Sequence, residues 1–387
     1  MSHRIVCFAS YYLPGTKSGG PLRSLLHLQE WLTPECEFHI VTRDRDLADK
    51  RAYPDVCTGR WCDVGEARVW YLAAPHWTPQ ALRSAIRGVR ADLLYFHSAF
   101  DVSLTIIPLI LRRIGWLPRD VPVLVAPRGE FSAGARSIKA RKKSLFLRMS
   151  KLLGLYRGVT WHATSPDEAE EIRSLWGTRV SVLVAPNLPS KSLATSMVDR
   201  VIKEPNRLRL VFLSRISRKK NLHGALEILQ GVKASIQFDI FGAKEDPEYW
   251  QECSDLMGRL PENVIANYRG VASLESVVPT LARYDAFLLP TLGENFGHVI
   301  FEALLAGCPI VLSDRTPWCQ LEAVRAGFDI PLSEPGRFQL VIDRLATMDA
   351  TEFGQWSNGA RQLALRYAND PELVQRTRAM IEAAVCA

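Results

Sequence analysis

The chain has 387 residues, 47% of them hydrophobic and 23% charged, which excludes the disordered, collagen-like and disulfide-scaffold classes and makes two domains the expectation. Its net charge of +7 is unevenly placed: residues 1–190 hold 26 Lys/Arg against 17 Asp/Glu, and residues 136–157 carry eight bases and no acid. That distribution argues against a protein coated in positive charge to bind nucleic acid everywhere and fits one with a single cationic surface.

In chain order, short β-branched runs are expected as strands at 4–9, 38–42, 69–72, 93–97, 121–125, 160–163 and 180–184. A second set is expected at 209–213, 237–241, 264–268, 286–289 and 309–312. Many are apolar on both faces, as buried parallel strands are. Helical patterns lie between them, at 22–32, 222–229, 276–283 and 299–305 among others, so the class is α/β with parallel sheets. The alternation breaks after Val184 at Ala-Pro-Asn-Leu-Pro-Ser-Lys-Ser and a polar stretch to Asn206, which places a boundary near 187–206 and two doubly wound domains at 1–190 and 191–387. The last helix either belongs to the second domain or crosses back to the first.

Eight scattered cysteines form no C-x-x-C pair and read as reduced thiols of a cytosolic protein. The apolar run 5–9 is too short for a signal peptide, and the longest apolar stretch, 102–111, covers about 15 Å as a helix, half a bilayer core. No G-x-x-x-x-G-K-[ST] is present, and no G-x-G-x-x-G follows the first strand. Asp44-Arg45-Asp46 spells D-x-D, but its place in a charged segment reads as a solvated loop.

The segment 285–314 is the most informative. A strand ends at Leu289, a loop with Pro290 and Gly293 follows, and a helix is expected from His298. Backbone N–H groups near Asn295, Phe296 and Gly297, together with the helix N-terminus, form an anion site. Glu294 stands at the helix entrance and Glu302 inside the helix, where a carboxylate can accept two hydrogen bonds from a vicinal diol such as a ribose. The pattern suits a nucleoside diphosphate.

Glu294 and Glu302, separated by seven residues, resemble the E-x7-E signature of family-4 glycosyltransferases. The resemblance extends along the chain. Pro14-Gly15-Thr16-Lys17-Ser18-Gly19-Gly20-Pro21 is similar to the family's glycine-rich loop, Leu213-Ser214-Arg215-Ile216-Ser217-Arg218-Lys219-Lys220-Asn221 to its G-R-L-x-x-x-K-G motif, and Ala185-Pro186-Asn187 to the P-N-G that closes the first domain. Pro127-Arg128-Gly129-Glu130-Phe131-Ser132 looks like a loop of the bacterial members that assemble surface polysaccharides. Three glycines of the pattern are replaced, by Ser214, Asn221 and Leu188.

The resemblance implies a GT-B fold, two Rossmann-like domains facing across a deep cleft, and transfer of a sugar from a UDP- or GDP-sugar to an acceptor hydroxyl with retention. Arg215 and Lys220 are then the diphosphate clamp, Glu294 contacts the donor sugar and Glu302 the ribose. Gly19 and Gly20 come close to the donor, and His97 lies near the reacting carbon. Arg128 and Glu130 are candidates for the acceptor loop. No metal and no cofactor is required, because two cations and a helix N-terminus neutralise the leaving group.

In the basic stretch, Leu145, Met149, Leu152 and Tyr156 share one helical face while Leu147 opposes them. This suits a peripheral contact with anionic lipid at the inner face of the plasma membrane, beside a lipid-linked saccharide acceptor. Nucleic acid is not expected as a partner, since no aromatic interleaving accompanies the bases. The rival readings are a sugar-nucleotide epimerase of the same fold and a non-catalytic nucleotide-sugar-binding partner protein.

Overall fold

The structure is a computed structural model that describes residues 2–73, 78–132, 140–191 and 200–387. Of the basic stretch, Arg136 and Lys139 lie outside these residues. The chain divides into two compact units, one of residues 1–188 with 371–387 and one of residues 189–370.

The first unit is an eight-stranded sheet. Its strands are β1 (His3–Phe8), β2 (Cys36–Arg43), β3 (Cys62–Val64), β4 (Ala67–Leu72), β5 (Leu93–Phe96), β6 (Val123–Val125), β7 (Thr160–Ala163) and β8 (Val182–Val184), in the order β3-β4-β2-β1-β5-β6-β7-β8. All neighbours are parallel except β3 with β4. Its core is carried by Val6, Phe8, Leu94, Phe96, Val125 and Trp161, with Phe8 and Phe96 stacked at 4.4 Å across the β1–β5 pair. The final helix, Pro371–Val385, belongs to this unit. Its Arg378 makes a two-pronged ion pair with Glu35, at 2.6 and 2.7 Å.

The second unit contains β9 (Arg207–Leu213), β10 (Ser235–Phe241), β11 (Val264–Tyr268), β12 (Ala286–Leu289), β13 (Ile310–Ser313) and β14 (Gly327–Ile330), all parallel in the order β11-β10-β9-β12-β13-β14. Phe212, Phe238, Phe287 and Leu288 are fully buried in a separate core.

Every strand expected from sequence is present, and β3 and β14 were missed. β3 is a three-residue antiparallel edge strand whose residues are only half-buried or exposed, so it carries no apolar run. β14 begins at Gly327 (φ +149°), where a β-carbon would lie 2.0 Å from the Ile310 carbonyl oxygen, so close pairing places a glycine in a buried strand.

In the parallel part of each sheet the strand order reverses direction once, at β1/β5 and at β9/β12. Side chains gather where the loops leave the carboxyl ends of such a pair. The relevant segments are 9–19 and 97–101 in the first unit, and 214–221 and 290–297 in the second.

Candidate active site

In the second unit, the loops after β9 and β12 are tied together by their backbones. Leu292 N–H donates to the Lys219 carbonyl (2.9 Å), Thr291 Oγ1 donates to the same oxygen (3.0 Å), and Asn221 Nδ2 donates to the Pro290 carbonyl (2.8 Å). This brings Lys220 Nζ into an ion pair with Glu294 Oε1, the two side chains being only 13% and 8% exposed. Glu294 is further held by its own N–H on the Arg315 carbonyl (2.9 Å), and the loop by Ser313 Oγ on the Thr291 carbonyl (2.6 Å). Arg215 leaves the same β9 loop but pairs with Glu245 at 3.1 Å. The expected diphosphate clamp is thus held by carboxylates, Lys220 by one that the sequence assigned to sugar.

Asn221 replaces a glycine of the family pattern and has φ +57°, a left-handed conformation that asparagine tolerates better than most residues. Its side chain also caps the helix Leu222–Leu229 through Gly224 N–H (3.2 Å). At Gly242 a β-carbon would lie 1.8 Å from the Ser214 carbonyl oxygen, so the tight approach beside Arg215 needs a glycine across from Ser214 rather than at it.

The helix His298–Leu305 begins at Gly297 (φ +76°) and buries all of its residues, Glu302 among them at 4% exposure. Phe296 is held from behind: its carbonyl accepts from Trp318 Nε1 (2.7 Å), and its ring packs against Trp318 and Tyr367. Among the described residues the N–H groups of Phe296 and Gly297 have no backbone acceptor. They remain donors at a helix N-terminus.

In the first unit, Gly19 (φ +69°) starts the helix Gly20–Leu32. The loop before it is gripped by Asp46, whose Oδ2 accepts from Thr16 N–H (2.7 Å) and Lys17 N–H (3.1 Å) and whose Oδ1 accepts from Leu47 N–H (2.7 Å). This corrects the reading of Asp44-Arg45-Asp46 as a solvated loop. Asp44 and Asp46 are 3% and 5% exposed, because backbone donors of the glycine-rich loop need a buried acceptor.

His97 follows β5 directly, with its N–H on the Phe8 carbonyl (3.0 Å). Its ring packs against Tyr95 at 4.2 Å, tilted by 36°, and Arg128 Nη2 donates to its Nδ1 (3.3 Å). A guanidinium only donates, so Nδ1 is the acceptor and Nε2 carries the proton. Nε2 is buried and has no partner among the described residues. Burial and the Arg128 charge push the pKa of His97 well below 6.5, so the ring is neutral.

Arg128 itself sits at φ +55° and also donates to Asn187 Oδ1 (2.7 Å) and the Tyr95 hydroxyl (3.2 Å). Tyr95 donates to His162 Nδ1 (2.5 Å), and His162 Nε2 donates to the Ala185 carbonyl (2.8 Å). Ser24 Oγ reaches Asn187 Oδ1 (2.8 Å), which connects this network to the helix after the glycine-rich loop. Leu188, another glycine replacement, is buried, and its carbonyl meets His27 Nδ1 (3.0 Å).

Glu130 points inward, onto Ser98 Oγ (2.7 Å) and Ala99 N–H (2.6 Å), and burial raises its pKa to about 7. Both carboxylate oxygens are therefore used in shaping the 98–100 turn. Arg128 is likewise committed to protein partners. Sequence reading missed Glu168, whose Oε1 accepts from Gly129 N–H (2.6 Å) and whose Oε2 accepts from Thr164 N–H and Oγ1 (both 2.8 Å). Its signal was the Ser165-x-x-Glu168 spacing at the helix Pro166–Trp176.

The basic helix runs over Ala140–Leu152. Leu145, Met149 and Leu152 are exposed, while Leu147 and Ser150 face the core and Tyr156 is buried beyond the helix end. The side chain expected to oppose the apolar stripe is the one that anchors the helix. No described helix is long and apolar enough to cross a membrane.

Two family models match the chain: one described as glycosyl transferase 4-like domain over residues 19–187, the other as glycosyl transferases group 1 over residues 207–347. No curated protein sequence matches. Among solved structures, sucrose-phosphate synthase from Thermosynechococcus elongatus superposes with a TM-score of 0.74 at 15% identity over 98% of each chain. HepE of Anabaena in complex with UDP and glucose gives 0.69 at 15% identity, over 98% of this chain and 100% of that one. WaaG, a glycosyltransferase involved in lipopolysaccharide biosynthesis, gives 0.65 at 14% identity over 98% of each chain. At such identities the likeness concerns the fold, two Rossmann-like domains of the GT-B type. With models matching both units, the chain belongs to the group 1 glycosyltransferases of family 4 and has the GT-B fold.

Proposed function

We propose that the protein transfers a sugar from a nucleotide-sugar donor, a UDP- or GDP-sugar, to a hydroxyl of a lipid-linked saccharide in polysaccharide or glycolipid assembly, with retention at the anomeric carbon. The observation that carries this reading is the convergence of Lys220 and Glu294 beside the N-terminus of the helix His298–Leu305. A buried cation next to donor N–H groups suits a diphosphate, and a carboxylate next to it suits sugar hydroxyls. The solved HepE structures with UDP and glucose or with UDP-glucose share the fold and support a nucleotide-sugar donor.

In this reading the bond from the anomeric carbon to the phosphate oxygen breaks while the acceptor oxygen bonds to the same face. The acceptor proton passes to the departing phosphate. Lys220, and Arg215 once released from Glu245, offset the charge gained by that phosphate, so the step needs no metal ion. Glu302 is assigned to the ribose and the 295–297 N–H groups to phosphate. Gly19 and Gly20 let the backbone approach the donor. His97, neutral and protonated on Nε2, donates to a sugar hydroxyl. Arg128 and Glu130 act as positioning residues, for His97 and for the turn after it. The protein works on the cytoplasmic side, attached to the inner face of the membrane through anionic lipid contacts of the 136–157 stretch.

The test is a thermal-shift screen with UDP, GDP, ADP and their sugars, followed by transfer to a lipid-linked saccharide and assignment of the product anomer. A donor at 100 times its Kd stabilises by about 2.7 kcal/mol. No shift with any nucleotide overturns the reading. Release of an epimerised sugar without an acceptor favours the epimerase, and binding without turnover favours the non-catalytic partner.

A further inference from the structure

On the first unit, away from the network around His97, the helix Pro79–Ile86 ends against the turn that follows the helix Ile107–Arg113. A groove of about 450 Å³ opens there, lined by Arg83, Arg87, Ile114, Trp116 and Arg119 among others. Arg83 lies over the Trp116 ring, 5.3 Å from its centroid. The turn is rigid because its arginines hold backbone carbonyls: Arg112 Nη2 on Arg119 (2.7 Å), and Arg119 Nε on Arg112 (3.1 Å). Arg113 Nη1 reaches the Leu153 carbonyl (2.6 Å), so the groove rim is joined to the end of the basic helix.

Two properties of this surface are unbalanced. Among the described residues none of Arg83, Arg87, Arg112, Arg113 and Arg119 forms an ion pair with a carboxylate, and the nearby acid acting on Arg112 is Asp120. Large aliphatic side chains also stand in water beside the arginines: Ile114 is 60% exposed, Leu152 79% and Leu153 65%. Clustered guanidinium groups call for an anion with several acceptor oxygens. Exposed aliphatic groups next to them call for an apolar phase. A free phosphate or a nucleic acid would answer the first demand only. A bilayer surface answers both, with phosphates at the level where an indole settles and acyl chains just beneath.

We propose that the groove formed by Arg83, Arg87, Trp116 and Arg119 holds the headgroup phosphate of an anionic phospholipid, while Ile114, Leu152 and Leu153 enter the acyl boundary. The headgroup groove lies outside the 136–157 stretch, while Leu152 and Leu153 belong to it, and the proposal rests on the membrane part of the functional reading, not on sugar transfer.

The experiment is sedimentation of the full chain with phosphatidylcholine vesicles, with and without phosphatidylglycerol. Arg83→Gln/Arg87→Gln is expected to weaken binding to the anionic vesicles on the order of 30-fold, at ~5-fold per cation, with only a small drop in melting temperature, since neither side chain is ion-paired and Arg83 loses only its contact with the Trp116 ring. Leu152→Ser/Leu153→Ser is expected to weaken it as well. Arg141→Gln/Lys142→Gln separates the two ideas. If that variant loses binding while the Arg83/Arg87 variant binds like the wild type, the groove proposal is overturned and the membrane reading stands. If the wild type binds neither vesicle, both fall. If inorganic phosphate stabilises the wild type but not the Arg83/Arg87 variant, while the two bind anionic vesicles equally, the groove is a soluble-phosphate site and the lipid assignment is wrong.

Discussion

Lys220 donates to Glu294 Oε1 across 74 positions of sequence, and both side chains are almost excluded from solvent. The pair exists because β9 and β12 are neighbours in the sheet, so the loops that follow them leave side by side. Each partner is the other's neutralising charge until an anion competes for Lys220.

That competition gives an asymmetric expectation for the two single variants. Lys220→Ala should lose both nucleotide stabilisation and turnover. Glu294→Ala should lose turnover and about 3 kcal/mol of stability, because a nearly buried ammonium is left uncompensated. A nucleoside diphosphate should then stabilise Glu294→Ala more than it stabilises the wild type, since Lys220 is released to it. Thermal shifts with UDP and GDP measure this; equal responses in the two variants would count against the clamp.

Asn221 offers a test of a replaced glycine. Asn221→Gly keeps the left-handed backbone but loses the cap on Gly224 and the bond to the Pro290 carbonyl, with an expected loss of about 1–2 kcal/mol. Asn221→Ala loses both bonds and places a β-carbon residue at φ +57°, for about 3 kcal/mol in all. Chemical denaturation should therefore rank wild type, Gly and Ala in that order. An alanine variant as stable as the glycine variant would show that the backbone conformation is not strained.

Acid should destabilise the first unit. Burial is the main cause holding His97 well below 6.5, His162 at about 3 and His27 at about 4. As pH falls below about 6.5, the unfolded chain takes up three protons that the folded chain refuses, so stability falls. Glu130 opposes this: with its pKa raised from 4.5 to about 7, the folded chain keeps a proton that the unfolded chain releases. For these four groups the net difference of two protons amounts to about 3 kcal/mol per pH unit between 4.5 and 6.5, and His39, also lowered by burial, adds in the same direction. Calorimetry at pH 7.5, 6.5 and 5.5 should show a decreasing transition temperature. A flat or rising profile contradicts buried neutral histidines.

Glu168 should not tolerate its isosteric amide. Both of its oxygens accept only from donors, at Gly129 and Thr164, so Glu168→Gln turns an N–H₂ toward an N–H. A loss of about 1–3 kcal/mol is expected for Gln and a similar one for Ala. The loop that carries Arg128 should loosen in both, and the low His97 pKa, followed by NMR, should move toward 6.5. Stability within 0.5 kcal/mol of the wild type, on the order of an ordinary surface change, would show that Glu168 is not the anchor.

By itself the sequence determined the α/β class, the break between two doubly wound halves and the motifs at 213–221 and 294–302. Apolar runs bounded by loops, and short motifs of fixed spacing, are local patterns and survive without any knowledge of packing. The tertiary structure decided which of those residues face one another. Spacing alone paired Glu294 with Glu302, but strand order pairs Glu294 with Lys220. Asp46 reads as one acid in a charged segment, and only folding brings the backbone donors of Thr16 and Lys17 to it. The isolated residues Tyr95, Glu168 and Asn187 become parts of one site because β5, β6, β7 and β8 are adjacent in the sheet. The charge of 136–157 was legible, but whether its aliphatic residues face core or solvent was not: burying Leu147 turns Leu145, Met149 and Leu152 outward. The arginines of 83–119 are too dispersed to register as a cluster, and only two helix ends meeting in space bring them to one groove.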